Sequence, residues 1–158
     1  MWAPYLFGER TPHLDPEARA AFVGITASHT RGHFVRAILE GVAFSLKDTL
    51  TLFREIGVPV KAIRLGGGGA RGALWRQIQA DVYGHPVELL EAEEGGAFGA
   101  ALLAGTGIGV WASVEAACAA TVRVAETIAP RNAVVMDVAY GRYRRIYPAL
   151  REIAGGRA

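Results

Sequence analysis

From Thr30 to Ile56 apolar residues recur at intervals of three and four: Val35, Leu39, Val42, Leu46, Leu50 and Phe53, with Phe34 and Ile38 widening the stripe. That period predicts one long amphipathic helix. Ser28 or Thr30 can cap its start, and Gly57 and Pro59 supply a stop. Gly41 falls in the middle of it, at a cost of about 1 kcal/mol relative to alanine, which predicts another backbone packed close against that position. The preceding "MWAPYLFGERTPHLDP" holds three prolines and no sustained period and reads as a structured loop. Pro16 then suits the first turn of a short helix through Val23, with Gly24 ending it.

Beyond Pro59 the pattern changes to short apolar runs separated by helical ones. "KAIRL" predicts a strand, "ARGALWRQIQADVY" a helix with Leu74, Ile78 and Val82 inward, and "HPVELL" a second strand after a break at Gly84. "GGAFGAALLAGTG" predicts a helix whose small residues Gly96, Gly99, Ala100 and Ala104 allow close packing. A helix near Ser113 to Ala120, a strand near Val122 to Ile128 and a final helix from Ala133 to Ile153 complete the order. Ordered βα units imply an α/β layer fold. Three short strands under five helices make a small sheet, so the chain reads as a helix-rich part of a larger α/β unit.

At 158 residues and 51% hydrophobic, the chain is long enough for one core. Seventeen Lys and Arg against fifteen Asp and Glu leave a formal charge of +2 with the signs mixed, which does not call for nucleic acid. The most basic stretch, "GRYRRIYPALRE", interleaves Arg142, Arg144 and Arg145 with Tyr140, Tyr143 and Tyr147 and reads as a solvated helix face. Cys118, the only cysteine, lies among alanines as a small apolar residue, and a reducing, cytoplasmic setting is expected. No run of eighteen apolar residues and no signal-peptide pattern appear, so no membrane partner is expected. His13, His29, His33 and His85 lack metal-ligand spacing, and no metal site is expected in this chain.

The four glycines of "KAIRLGGGGARGALWRQI" stand between a predicted strand and a predicted helix. There, glycine lets backbone N–H groups approach an anion, and the helix N-terminus adds partial positive charge. A phosphate loop of the G-x-x-x-x-G-K-[ST] type fails here, because Ala70, Arg71, Gly72 and Ala73 supply neither the lysine nor the hydroxyl. Gly67, Gly69 and Gly72 do satisfy G-x-G-x-x-G, with Glu88 or Glu91 near the distance for a ribose-binding carboxylate. A dinucleotide-binding oxidoreductase module is therefore one reading of the turn.

Several motifs in one order are more specific. "AAFVGITASHTRGHFVRAILE", Ala20 to Glu40, resembles the C-terminal signature of the FGGY family of carbohydrate kinases, through Ala20, Phe22, Gly24, Ile25, His33, Phe34 and the run Ala37 to Glu40. "PYLFGERTPHLDP", "LGGGGARGALWRQIQADVYGHPV", "EEGGAFGAALLAG" and "YGRYRRIYPAL" are similar to further segments of that family, most closely of its xylulose kinases. The resemblance implies part of the C-terminal lobe of a ribonuclease H-like fold, the one shared with actin and hexokinase. It implies ATP and Mg2+ in a cleft between lobes and transfer of the γ-phosphoryl to a sugar hydroxyl, D-xylulose giving the 5-phosphate. The family's G-G-G-A turn faces the nucleotide and maps onto Gly67, Gly68, Gly69 and Ala70, followed by Arg71. On this reading residues 1–158 are one domain, a partial lobe: a loop and short helix at 1–28, the long helix at 29–57, a nucleotide-facing βαβα unit at 61–110 and C-terminal helices at 111–158.

Two departures qualify the resemblance. Where many members carry serine or asparagine after the turn, this chain has Gly72 and Ala73, leaving backbone contacts to hold adenosine. The family's catalytic aspartate and most sugar contacts belong to an N-terminal lobe, and Met1 falls where a member would be in mid-domain. No catalytic residue is therefore assigned here. Glu9, Asp15, Glu40, Asp81, Glu88, Glu93 and Glu94 are the candidate replacement bases, and none stands out; Glu93 and Glu94 suit helix capping. Glu9, Arg10 and Thr11 of "GERTP" fit either an interlobe cleft or a hydrogen-bonded loop. The expectation is an ATP-side subdomain inactive alone, its pentulose held by the other lobe. A non-catalytic interaction fragment, associating through apolar surface, for instance as a homo-oligomer, is the third reading.

Overall fold

The computed structural model describes residues 1–92 and 95–153. Helix α1 runs Arg31–Glu55 behind the N-cap Thr30, whose N–H donates to His33 Nδ1 at 3.1 Å. It stops in a Schellman motif: Gly57 N–H donates to the Arg54 carbonyl at 3.1 Å and Val58 N–H to the Phe53 carbonyl at 2.8 Å. The bounds match the periodicity, but the buried face does not. Val35, Ile38, Leu46 and Phe53 are exposed, whereas Gly41, Ala43, Phe44, Lys47 and Asp48 are buried. Apolar period alone cannot register Lys47 and Asp48, which a later helix, Ala133–Tyr143, covers through Asp137 and Tyr140. Gly41 behaves as its position demands, since a Cβ there would sit on the Trp2 carbonyl oxygen.

That carbonyl belongs to β1 (Trp2–Ala3), which pairs antiparallel with β2 (Ala21–Phe22) in the register Trp2↔Phe22. The short helix expected from Pro16 to Val23 is thus absent. Pairing with β1 and the Trp2–Phe22 ring contact at 4.4 Å outweigh the local start signal. The loop between β1 and β2 is tied by the Glu9↔Asp15 bridge and leaves Phe7 at its tip 97% exposed.

The second sheet has the order β3-β4-β5. Strand β3 (Ile63–Leu65) leads through a 3-10 turn, Gly68–Arg71, into α2 (Ala73–Tyr83), and β4 (Val87–Leu90) returns parallel to β3. Helices α3 (Gly95–Gly107) and α4 (Val114–Thr121) then carry the chain to β5 (Val124–Ile128), antiparallel to β4. Ile78 and Val82 of α2 are buried as expected, but Leu74 is 55% exposed, because the first turn of α2 stands at the edge of the glycine turn rather than over the sheet. On α3 a Cβ at Gly96 or Gly99 would meet nothing within 4 Å, and Ala100 and Ala104 are exposed. The close approach comes one residue past Ala104, where the Trp111 ring fills the space a Gly105 side chain would need.

The expected last helix is two, α5 (Ala133–Tyr143) and α6 (Ile146–Ile153). Pro148 has no N–H for the Arg144 carbonyl and its ring crowds that oxygen, which puts the break at Arg144 and Arg145. The core gathers Ala43 and Phe44 of α1, Ile78 and Val82 of α2, Val87 of β4 and Tyr140 and Tyr143 of α5. Among the described residues no helix is long and apolar enough to cross a membrane.

Candidate functional site

At the end of β3 the backbone turns through Gly67 with φ +74°, a conformation costly for any residue with a side chain. A Cβ on Gly66, Gly67 or Gly68 would meet nothing within 4 Å. These glycines do not serve close packing within the chain. Gly69 and Gly72 lie beside Trp75: added Cβ atoms would be 3.5 Å and 3.6 Å from its nearest side-chain atoms, an ordinary van der Waals contact. The G-x-G-x-x-G pattern thus divides into one open glycine and two that lie against Trp75.

The 3-10 turn takes two amides inward, Ala70 N–H to the Gly67 carbonyl at 3.1 Å and Gly72 N–H to the Gly69 carbonyl at 3.2 Å. It leaves Gly67, Gly68 and Gly69 to offer N–H groups to an anion. Over them opens a cavity of about 740 Å³, walled by Leu65, Leu89 and Leu90 from the strands and by Gly95, Gly96 and Ala97 of α3. Arg71 and Arg76 line it with positive charge. Arg76 is fixed by Glu126 of β5, Nη1 to Oε2 at 2.8 Å, while its buried Nε has no partner among the described residues. Apolar strand ends, glycine amides and guanidinium groups suit a ligand with a flat apolar part and an anionic part. No carboxylate of a described residue lines the cavity.

The structure brings Gly67, Gly68, Ala70 and Arg71 to this cavity and directs Gly69 toward Trp75. The candidate carboxylates are employed elsewhere. Glu9 accepts from the N–H groups of Thr11 and His13, each at 2.7 Å, so "GERTP" is a hydrogen-bonded loop. Asp15 accepts the Tyr147 hydroxyl at 2.9 Å, Glu40 pairs with Arg36 at 2.6 Å, and Glu88 with Arg64 at 3.2 Å across β3 and β4. Glu91 is placed by its own N–H, bonded to the Arg123 carbonyl at 3.1 Å. Asp81 caps α5, accepting from Arg131 N–H at 2.6 Å and Asn132 N–H at 3.1 Å. Burial alone would raise its carboxyl, but these donors hold it below the ordinary value. Glu93 and Glu94 lie outside the described residues.

The histidines are engaged as well. His29 Nδ1 accepts from Thr26 N–H at 2.9 Å, His33 serves the start of α1, and His13 stacks on Tyr147 with ring centroids 3.6 Å apart. Of the basic stretch, Arg142, Arg144 and Arg145 are exposed, while Tyr140, Tyr143 and Tyr147 are buried. Tyr143 shares a hydrogen bond with Tyr5 at 2.9 Å, and Tyr140 donates to Asp48 at 2.5 Å. Burial pushes the Tyr5 and Tyr140 hydroxyls up to about 12, so both remain protonated at neutral pH. Lys47 and Asp48 are not legible in the sequence, since charged residues inside a helix stripe give no periodic signal; the tyrosines spaced along α5 and α6 are the available clue.

Comparison with known proteins decides the family. The model of the FGGY family of carbohydrate kinases, C-terminal domain, matches residues 1–108. The chain belongs to that family. It is 39% identical over 155 residues to a xylulose kinase of Bacillus subtilis, covering 97% of this chain and 31% of that protein. It is 43% identical over 109 residues to glycerol kinase 1 of Clostridium tetani, covering 68% of this chain and 22% of that one. The crystal structure of a xylulose kinase from Rhodospirillum rubrum superposes with a TM-score of 0.83 at 34% identity, over 98% of this chain and 31% of that one. The chain therefore spans about a third of the length of the relatives it matches. Its fold is part of the actin- and hexokinase-like ATPase fold of sugar kinases, with small sheets under many helices. That fold replaces the dinucleotide reading, and Glu88, one of its ribose-binding candidates, is engaged by Arg64.

Proposed function

We propose that this chain forms the ATP-side subdomain of a carbohydrate kinase that phosphorylates D-xylulose at its 5-hydroxyl, and that it is inactive by itself. The observation that carries the reading is the open glycine turn: Gly66, Gly67 and Gly68 face a cavity that no side chain of the described residues occupies. Residues 61–110 supply the nucleotide-facing unit of a single partial lobe, with Gly67, Gly68, Gly69, Ala70 and Arg71 at the nucleotide. The amides of Gly67 to Gly69 and the two arginines suit the phosphate-bearing part, and Leu65, Leu89 and Leu90 suit adenosine. ATP supplies the phosphoryl group. Mg2+ would be held through the phosphates and by ligands outside the described residues, since none of those lines the cavity with a carboxylate.

The proton of the attacking hydroxyl needs a carboxylate base. Every described candidate is committed to a cap, a loop or an ion pair, which supports placing the base outside this chain. Xylulose is favoured over glycerol because the likeness to the Bacillus subtilis xylulose kinase extends over 155 residues and that to glycerol kinase 1 over 109, although two other xylulose kinases align over only 107 and 102. Calorimetric titration of the 158-residue chain tests the nucleotide. Saturable binding of ATP, displaced by ADP, is expected; saturable NADH binding indifferent to ATP overturns the reading. A coupled ADP-release assay with D-xylulose should give no turnover with this chain alone. Sustained turnover sinks the claim of inactivity.

A further inference from the structure

A second cavity, of about 310 Å³, lies between the β1–β2 loop, α1 and the α5–α6 corner and shares no lining residue with the first. Its lining includes a buried charge. Asp48 is only 7% exposed, and its Oδ1 accepts the Tyr140 hydroxyl at 2.5 Å. No donor from a described residue reaches Oδ2, and that oxygen is not sealed from water. Burial pushes the Asp48 carboxyl above its ordinary value, consistent with a group short of donors. Thr51, one turn further along α1, gives its proton to the Lys47 carbonyl at 3.0 Å and lies 3.2 Å from the Tyr140 hydroxyl, with a lone pair left to accept from a ligand.

The other walls narrow the chemistry. His13 and Tyr147, stacked at 3.6 Å with 6° between their planes, give the cavity an aromatic wall on which a ligand can cover one outer ring face, the inner faces meeting within the stack. Burial lowers the His13 imidazole below its usual value, so it is uncharged at pH 7. Glu55 and Arg144 bring opposite charges to the same cavity. The cation position over the Tyr140 ring is taken by Lys47, 4.7 Å from the centroid and bonded to Asp137 at 2.5 Å. An anion would face Asp48 and Glu55, and an ammonium ion would face Arg144. A neutral ligand with several hydroxyls meets neither conflict. Its O–H groups donate to the carboxylates, its oxygens accept from the guanidinium, and its C–H face lies on the aromatic wall. The volume falls at the small end of the range for ligand sites, about 300–1,000 Å³.

We propose that this cavity is a second ligand site, taking a neutral polyhydroxylated compound of monosaccharide size, with Asp48 and Thr51 as hydroxyl acceptors and the His13–Tyr147 pair as its platform. The proposal does not depend on what occupies the glycine turn. The test is a titration of the isotope-labelled 158-residue chain with xylitol, followed through backbone amide resonances. Saturable millimolar shifts are expected at Asp48 to Leu52 and at Tyr143 to Tyr147, with none at Gly66 to Ala70. Asp48→Asn should weaken xylitol about tenfold, the worth of a hydrogen bond to a charged group. Thr51→Val, which keeps both partners of the Tyr140–Asp48 bond and removes only the Thr51 contact to the Tyr140 hydroxyl, should weaken it about threefold. If Asp48→Asn does not fold, the Thr51→Val result decides. Absence of shifts with xylitol overturns the proposal, as does unchanged affinity in both folded variants. Shifts confined to the glycine turn, or tighter binding of ethanolamine than of xylitol, overturn it equally.

Discussion

The glycine turn and the tyrosine layer both join distant parts of this chain, but they are built on opposite terms. At the turn, backbone is left uncovered: side chains are missing from Gly66 to Gly68 and the space above them stays open. In the tyrosine layer, Tyr5, Tyr140, Tyr143 and Tyr147 fill the gap between the N-terminal loop, α1 and the last helices, and each hydroxyl finds a polar partner. A residue at the turn therefore affects what binds while hardly affecting the fold. A residue in the layer holds the fold, with a small cavity beside Asp48.

Tyr143→Ala gives the largest expected effect. Tyr143 is 2% exposed, packs on Phe44 at 5.3 Å between ring centroids, and reaches Tyr5 across the molecule. Removing a buried aromatic ring costs about 3–5 kcal/mol, and the Tyr5 hydroxyl loses its partner. Urea unfolding should show the midpoint fall at an unchanged slope. A loss below about 1 kcal/mol would mean that the layer does not hold the fold.

Gly68→Val sharpens the contrast from the other side. Gly68 does not need positive φ and has no neighbour within 4 Å, so valine fits the backbone and projects into the cavity. Stability should stay within about 0.5 kcal/mol of the parent chain. ATP affinity should fall at least about tenfold, about 1.4 kcal/mol, in the same calorimetric titration. Unchanged affinity in a folded variant would move the nucleotide away from these amides.

What the sequence disclosed follows the same division. The glycine turn, the limits of α1 and the backbone against Gly41 were legible because each rests on a local rule: absence of a side chain, capping, close approach. The tyrosine layer was not, because its logic is tertiary. Lys47 and Asp48 are buried by residues some ninety positions away, at Asp137 and Tyr140, which no window of sequence contains. The Pro16 start signal lost to pairing of Phe22 with Trp2, and Gly96 and Gly99 were credited with packing although open space surrounds them. Pro148 did carry the break between α5 and α6, a local signal that the continuing apolar period concealed.

The smallest effect distinguishes two buried carboxylates by sign. The donors from Arg131 and Asn132 hold Asp81 below its ordinary value despite burial, so the folded chain binds its proton less readily than the unfolded chain. Its contribution is present above about pH 4 and is lost as pH falls through the depressed value. Asp48 is raised, by burial first and despite the Tyr140 hydrogen bond, so the folded chain binds its proton more readily. Its ionisation weakens the fold as pH rises from about 4 through the raised value. Stability measured against pH should therefore lose part of its acid decline in Asp81→Asn, with a cost at pH 7 of about 1 kcal/mol, the usual worth of a helix cap. Asp48→Asn should steepen that decline and be tolerated better at pH 7 than near pH 4. Profiles that move in the same direction would show that the two carboxylates do not differ as their surroundings require, and that Asp48 has its donors after all.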